Sequence, residues 1–491
     1  MFERRRLKDM ASWLVFGLFF AITLWGLVNH APWRDEAQSW LLVRDLNLGG
    51  LINQMSYEGT PPLWHLILFP LAKLGLPYAS ELIVHYLFAL ALVFLLIFFS
   101  PLPKIIKFIL PFSYLFLFEY TVIARNYNLT VLLLFIIALI YNYRFRRPIL
   151  YASLIFLLAW TNVHSLAMAA VLSCIFLYEI IKEGRSELKY LWGVVIMELG
   201  IVSAILILIP KIDQYPGLGF SSWHIIARSL STSLLPFFEN PTIPSYLLYP
   251  LSVVWIPLLI FLLKKNQSKI LFLLPIFWLE FIFLFRYPGS MRHHGLILVF
   301  FLFAWWIDLV FHEKKIVEAE NIKYKITVYL LSICLALSTI YAGYFYLTSI
   351  NKNFSGAKEM AQYIKNNHLD GEEIAAYPSY SGSALLPYLP GKEFYQVETL
   401  KKGTFLTWNN AFYSGDVTPF FNLKKYLKYY YSLPQNKVDS VLILTTLPEG
   451  SNQESEFIFK KTNPDLEFIY KNTKETIKQN EFFYLYRLHL R

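Results

Sequence analysis

The sequence predicts an α-helical polytopic membrane protein of about eleven spans, N-terminus inside and C-terminus outside, closed by an extracytoplasmic α/β domain. Three observations carry this reading. Of 491 residues, 56% are hydrophobic and only 16% charged, with a mean hydropathy of +0.44. Soluble domains carry about 25% charged residues, so this chain cannot cover itself with polar surface; a water-soluble globule, a disordered chain and a coiled coil are excluded. Long apolar runs recur through residues 1–350 and cease afterwards. Finally, Lys and Arg gather in alternate loops.

The apolar runs lie near 12–29, 80–99, 105–119, 127–143, 149–162, 165–181, 189–209, 246–263, 269–286, 294–311 and 326–349. Several fall short of the ~20 residues that cross a bilayer, and the pairs 105–143 and 149–181 are the least regular. The first run follows Arg4, Arg5 and Arg6; a cleaved signal is the rival, but Asn29-His30-Ala31 is followed by Pro32, a poor place to cut. We therefore expect an uncleaved span. Loops carrying Arg4–Arg6, Lys104/Lys107, Arg144/Arg146/Arg147, Lys182/Arg185/Lys189, Lys264/Lys265/Lys269 and Lys314/Lys315/Lys323/Lys325 alternate with loops poor in cations. One orientation satisfies them all. The net charge of +10 is then a topological signal, with no nucleic-acid partner implied. Cys174 and Cys334 sit in apolar runs and suggest no disulfide framework.

Residues 30–79 form a long outer loop too apolar to lie free in water. AQSWLLVRDLNLGGLI places Trp40, Leu41 and Leu48 on one helical stripe and predicts a helix in the membrane interface. PPLWHLILFPLAKLGLPY predicts a second, entered through Pro61-Pro62 and broken at Pro70. As a transmembrane span it would invert every later loop. We expect residues 1–350 to form the membrane domain and residues 351–491 the outer domain. In the latter, SGAKEMAQYIKNNHL reads as a helix, EEIAAYP and KVDSVLILTT as strands, SALLPYL as a helical turn, and LEFIYKNTKETIKQNEFFYLYRLHL as a closing hairpin. Its aromatic residues Tyr377, Tyr380, Tyr388, Trp408 and Tyr413 suit either sugar stacking or ordinary packing.

The polar residues that need a reason all map to the outer face. Asp35 and Glu36 follow the first span directly; two adjacent acids at a membrane boundary are costly to desolvate. A helix cap is their plainer explanation. Glu58 and His65 lie further along the same loop, Glu119, Arg125 and Tyr127 at the end of the next span pair, His164 at the end of another, and Arg286, Arg292, His293 and His294 in FRYPGSMRHHG. Interfacial anchoring or core packing would account for each alone. Together, a carboxylate, several cations and several imidazoles at one bilayer surface suit an anionic, lipid-borne substrate: cations to hold a phosphate, a carboxylate to take a proton.

Asp35-Glu36 in a long first outer loop, EGTPPLWHLILFPLAKLG, ARNY and RHHG together resemble the polytopic GT-C superfamily of glycosyltransferases, which use polyprenyl-phosphate-linked sugars. The likeness is greatest to bacterial members grouped with protein mannosyltransferases and aminoarabinose transferases. It implies a hexosyl- or pentosyltransferase of the cell envelope, acting in the cell membrane with its active site outside, on a glycan, lipid or protein acceptor. It also implies roles: Asp35 as the base that deprotonates the acceptor hydroxyl, Glu36 as the adjoining acid that orients the site, and Arg125 and Arg292 on the departing lipid phosphate, assisted by His293 or His294. His164 has no counterpart in that pattern. Base and guanidinium should stand a sugar-width apart. No metal or cofactor is expected; a divalent cation on Asp35, Glu36 and Glu58, or on His293 and His294, is the alternative. The competing functional readings are a lipid-linked glycan transporter or flippase, kept alive by Glu179, Glu198 and Glu280 within or near spans, and a polysaccharide polymerase or ligase.

Overall fold

The computed structural model describes residues 9–214, 219–239, 245–311, 322–399, 401–410, 438–446 and 461–490, with single helical positions at 424, 427 and 431. Arg4–Arg6, Lys314, Lys315, Tyr413 and Asn452 lie outside the described residues. Among the described residues, seven helices are long and apolar enough to cross a membrane: Met10–Asn29, Ala79–Phe99, Val163–Lys182, Leu188–Ile207, Asn266–Phe285, Met291–Phe311 and Tyr324–Asn351. Met291–Phe311 is the central one, with Leu296 to Ile307 almost wholly enclosed. The peripheral spans instead present Leu14, Leu18, Leu191, Leu199 and Phe277 outward, as lipid-facing helices do.

Four expectations of the membrane part are corrected. The run 105–119 is no single helix: Lys104–Ile109 gives way to a 3₁₀ turn, Leu110–Phe112, and then to a π-helical turn, Leu115–Glu119. Pro111 lacks the amide that would continue the ladder, and the apolarity of Leu115 to Phe118 reflects burial in protein rather than contact with lipid. The run 149–162 yields the 12-residue helix Pro148–Ala159, about 18 Å long, well under the ~30 Å hydrocarbon core. The outer-loop helix is split into Arg34–Asp45 and Leu48–Glu58, because Asn47 Oδ1 accepts from the Gly50 amide at 2.8 Å and starts a new helix. The following helix, Leu63–Lys73, runs through Pro70 without stopping.

The C-terminal part is a six-stranded mixed sheet. Its strands are β1 (Ile374–Tyr377), β2 (Phe394–Gln396), β3 (Lys401–Gly403), β4 (Ser440–Thr446), β5 (Leu466–Lys471) and β6 (Phe483–His489), in the order β3-β2-β1-β4-β6-β5. β1 runs parallel to β2 and β4, while β6 is antiparallel to β4 and β5. The two-residue period of β4 sends Val441 and Ile443 to one face with Tyr395, Tyr484 and Tyr486. Leu442 and Leu444 go to the other, against Met360 and Ile364 of the helix Ala357–Asn366.

Ala37 and Leu41 of the first outer loop complete this second face. The loop helix is therefore roofed by the sheet domain and does not lie bare on the bilayer; of its expected stripe Trp40 and Leu41 are buried, while Leu48 is 51% exposed. The loop 30–79 and the C-terminal sheet thus share one side of the molecule.

Candidate active site

The helix Arg34–Asp45 divides the two neighbouring acids between different tasks. Glu36 is fully enclosed: its carboxylate accepts from the Trp33 amide at 3.1 Å, from the Ala124 amide at 2.7 Å, and meets His30 Nε2 at 2.8 Å. It caps the helix at its third residue and ties the loop to the turn 120–126. Asp35 faces the other way, with its side chain 24% exposed in a cavity of about 630 Å³. The cap explanation thus goes to Glu36 and leaves Asp35 without one.

Four guanidinium groups line that cavity with Asp35: Arg34, Arg125, Arg286 and Arg292. Arg292 Nη2 donates to Asp35 Oδ2 at 2.9 Å, and Arg125 Nη1 donates to the Asp35 carbonyl. The Arg292 backbone is fixed by Tyr120, whose hydroxyl donates to its carbonyl at 2.9 Å. This approach depends on Gly295: a Cβ there would stand 2.6 Å from Leu115 Cδ2 and from the Tyr120 hydroxyl. Burial pushes the Asp35 carboxyl up, yet the summed pull of Arg125, Arg292, Arg34 and Lys478 outweighs it and holds the group below the ordinary carboxylate range. Asp35 is an anion clamped by cations, and the closed pair differs from the sugar-width separation expected.

Glu58 lies on the same wall. Its Oε1 accepts from Gln38 Nε2 at 2.9 Å and Gln54 Nε2 at 3.1 Å. Burial, only partly offset by those two amides, pushes its carboxyl up to about 7, so it is the one acid lining the cavity poised to exchange a proton near neutrality. The opposite wall is aromatic. Tyr127 meets His293 edge-on at 4.9 Å, and His164 and His293 stand 5.0 Å apart between centroids. Trp278 donates its indole N–H to the Val163 carbonyl at 2.8 Å. Neither ring nitrogen of the buried His164 has a hydrogen-bond partner. The turn Tyr287 to Ser290 shapes the rim; Gly289 there has φ +78, the left-handed region that glycine enters freely. Asn126 closes the floor, donating to the Thr60 hydroxyl and the Thr161 carbonyl at 2.8 Å each.

Of the residues singled out from the sequence, the cavity lining includes Asp35, Glu58, Arg125, Tyr127, His164, Arg286, Arg292 and His293. Four lie elsewhere. Glu119 is buried outside the lining and accepts from the Tyr114 hydroxyl at 3.1 Å. Glu36 is enclosed as described, and His65 is buried outside the lining. His294 turns to Thr232 Oγ1 at 2.9 Å and the Pro288 carbonyl at 3.0 Å, since neighbouring residues of one helix point about 100° apart. Among the described residues no three His, Cys, Asp or Glu side chains gather as a metal site. Glu36 is turned to His30 while Asp35 faces the cavity. Sequence reasoning gave no role to Trp33, whose ring lies 5.2 Å from the Arg292 guanidinium carbon, and missed two residues of the sheet domain, Lys478 and Glu481, which reach the same turn. Trp33 carried a signal, as the aromatic neighbour of the acidic pair; Lys478 and Glu481 carried none.

Comparison with known proteins adds little. No family model matches the chain, and no curated protein matches it. The cryo-EM structure of the arabinofuranosyltransferase AftD from mycobacteria aligns with 97% of this chain and 40% of its own, at 12% identity and a TM-score of 0.43. The chain therefore spans well under half the length of that protein.

Proposed function

We propose that this protein is a membrane glycosyltransferase that moves a sugar from a polyprenyl-phosphate donor to an acceptor hydroxyl, with Asp35 as the general base. The observation that carries the reading is the cavity holding Asp35 among Arg125, Arg286 and Arg292, between the helices of the loop 30–79 and the ends of the membrane helices. The acceptor oxygen would attack the anomeric carbon, its proton passing to Asp35, while the bond from that carbon to the phosphate oxygen breaks. The negative charge that develops on the phosphate falls to the guanidinium groups, which suit it by charge and by their forked geometry.

The closed Asp35–Arg292 pair gives this scheme an order. A donor phosphate competes with Asp35 for Arg292; once Arg292 turns to it, Asp35 loses a cation that holds its proton affinity down and becomes a stronger base. The base is thereby armed by the donor. Trp278, Tyr127 and the two imidazoles offer flat faces and hydrogen-bonding nitrogens for a sugar ring. No cofactor enters the scheme. A transporter reading draws on Glu81 and His85, one turn apart and buried in the span Ala79–Phe99; both lie outside the cavity lining.

The direct test uses purified protein with a radiolabelled polyprenyl-phosphate sugar. Acceptor-dependent release of free polyprenyl phosphate is the expected result; movement of the intact donor across a vesicle membrane without cleavage would put the transporter in its place. The outward orientation is tested separately in intact cells, by labelling Lys73→Cys and Asn452→Cys with an impermeant thiol reagent. Both should react. Protection of both would place the site on the cytoplasmic face.

A further inference from the structure

The connection between β5 and β6 packs against the turn that carries Asp35. Residues 472–482 are laced to the segment after the last span: Asn353 donates its amide to the Glu475 carbonyl at 3.0 Å, while Ile477 and Lys478 donate theirs to Asn353 and Phe354 at 2.8 and 3.0 Å. Gly356 donates to the Glu481 carbonyl at 2.9 Å. So held, the connection places two side chains against Trp33-Arg34-Asp35. Glu481 Oε1 accepts from the Arg34 amide at 3.0 Å, and Lys478 Nζ stands 4.4 Å from the centre of the Trp33 ring. The Arg292 guanidinium carbon lies 5.2 Å from the same ring, so one indole serves two cations.

A lysine in a hairpin connection ordinarily keeps its ammonium in water, and drawing one partly out of it requires compensation. Here Lys478 is half-buried, and the compensation comes from Glu119, Asp35 and Glu481. We propose that Lys478 is a positioning residue of the cavity, through which the sheet domain sets the charge state of Asp35 from behind Trp33. This rests on the glycosyltransferase reading only for its consequence in catalysis; the electrostatic claim rests on the placement of Lys478 at the Trp33 ring, where Arg292, the partner of Asp35, also lies.

The charged and titratable groups around Asp35 are Arg34 on its own helix, Arg125 on the turn 120–126, Glu58 on the second loop helix, Arg292 on the central span, Tyr127 and Tyr287 on the cavity wall, and Lys478 and Glu481 from the sheet domain. Glu119 faces Arg292 and Lys478. Burial and the nearby Arg292 lower the proton affinity of Lys478, while Glu119, Asp35 and Glu481 raise it. Burial pushes Glu481 up to about 7, which leaves it neutral over the acid range where Asp35 titrates. Lys478 is the cation in this set whose removal leaves the cavity lining intact.

The test reads Asp35 directly. Full-length protein is labelled with a carbodiimide and glycine ethyl ester across a pH series; peptide mass spectrometry separates Asp35 from Glu36, and the exposed Glu467 serves as internal reference. Lys478→Met keeps the side-chain length over Trp33 and removes the charge. Its Asp35 midpoint should rise by about half a unit to one unit, as loss of one nearby cation implies, while Lys478→Arg stays with the unaltered protein. The acid limb of sugar transfer should move by the same amount. Equal midpoints in the unaltered and Lys478→Met proteins overturn the proposal, and Lys478→Gln gives the same reading should the Met variant fail to fold. Absence of transfer with every donor, alongside a shifted midpoint, would instead remove the glycosyltransferase reading and leave this one standing.

Discussion

Asp35→Asn should lower sugar transfer by roughly two to four orders of magnitude, the usual worth of a positioned base, while donor binding tightens, because Arg292 is released from its anionic competitor. The structure makes this substitution a clean one. Asn keeps the size of Asp, and its side-chain oxygen can still accept from Arg292 Nη2. No helix cap is lost, because that task belongs to Glu36, which accepts from the Trp33 and Ala124 amides. What disappears is the capacity to take a proton, together with one negative charge among several cations. The second loss should cost about 1–2 kcal/mol of stability through the weakened ion pair. Were Asp35 only a structural partner of Arg292, melting temperature would fall by that amount and turnover per folded molecule would not change. Transfer rate and melting temperature measured on the same preparation separate the two, and wild-type turnover in Asp35→Asn would take Asp35 out of the chemistry.

The division between Asp35 and Glu36 marks where sequence reading stops. Adjacent acids after a span announce themselves by their desolvation cost, yet nothing in Trp-Arg-Asp-Glu says which one faces a cavity. That is decided by helix phase: Trp33 is the N-cap and Glu36 the third helical residue, so Glu36 folds back on the cap while Asp35 points away. Apolar runs were legible because burial imposes them; β4 is found where Val441 to Leu444 run continuously apolar, as in a strand covered on both faces. The 105–119 run was misread for the complementary reason. A segment buried on all sides by protein is as apolar as one facing lipid, and Pro111 was the local sign that no continuous helix could form. Lys478 was illegible altogether. In KNTKETIKQNEFF it looks like one solvated charge among others, and only the pairing of 472–482 with 353–356 turns it inward.

Arg292→Ala should reduce transfer about 10²- to 10³-fold, the scale seen when one preorganised charge-stabilising donor is removed, and should raise the donor KM as well. Two further consequences follow from its position. Arg292 is one of the cations that hold Asp35 down, so its loss lets Asp35 protonate at a higher pH. Stabilisation by a carboxylate of depressed proton affinity is present at high pH and lost on acidification. In the variant that loss begins earlier, and the acid limb of the rate profile moves up. Arg292→Lys should restore the limb but little of the rate: an ammonium returns the positive charge near Asp35, yet it cannot spread a planar fork between a carboxylate and a phosphate. The two readouts therefore part company in the lysine variant, which a simple loss of folding cannot imitate. Should Arg292→Ala bind donor and turn over as before, the phosphate is held by Arg125 or Arg286 on the same cavity wall, and Arg292 serves Asp35 alone.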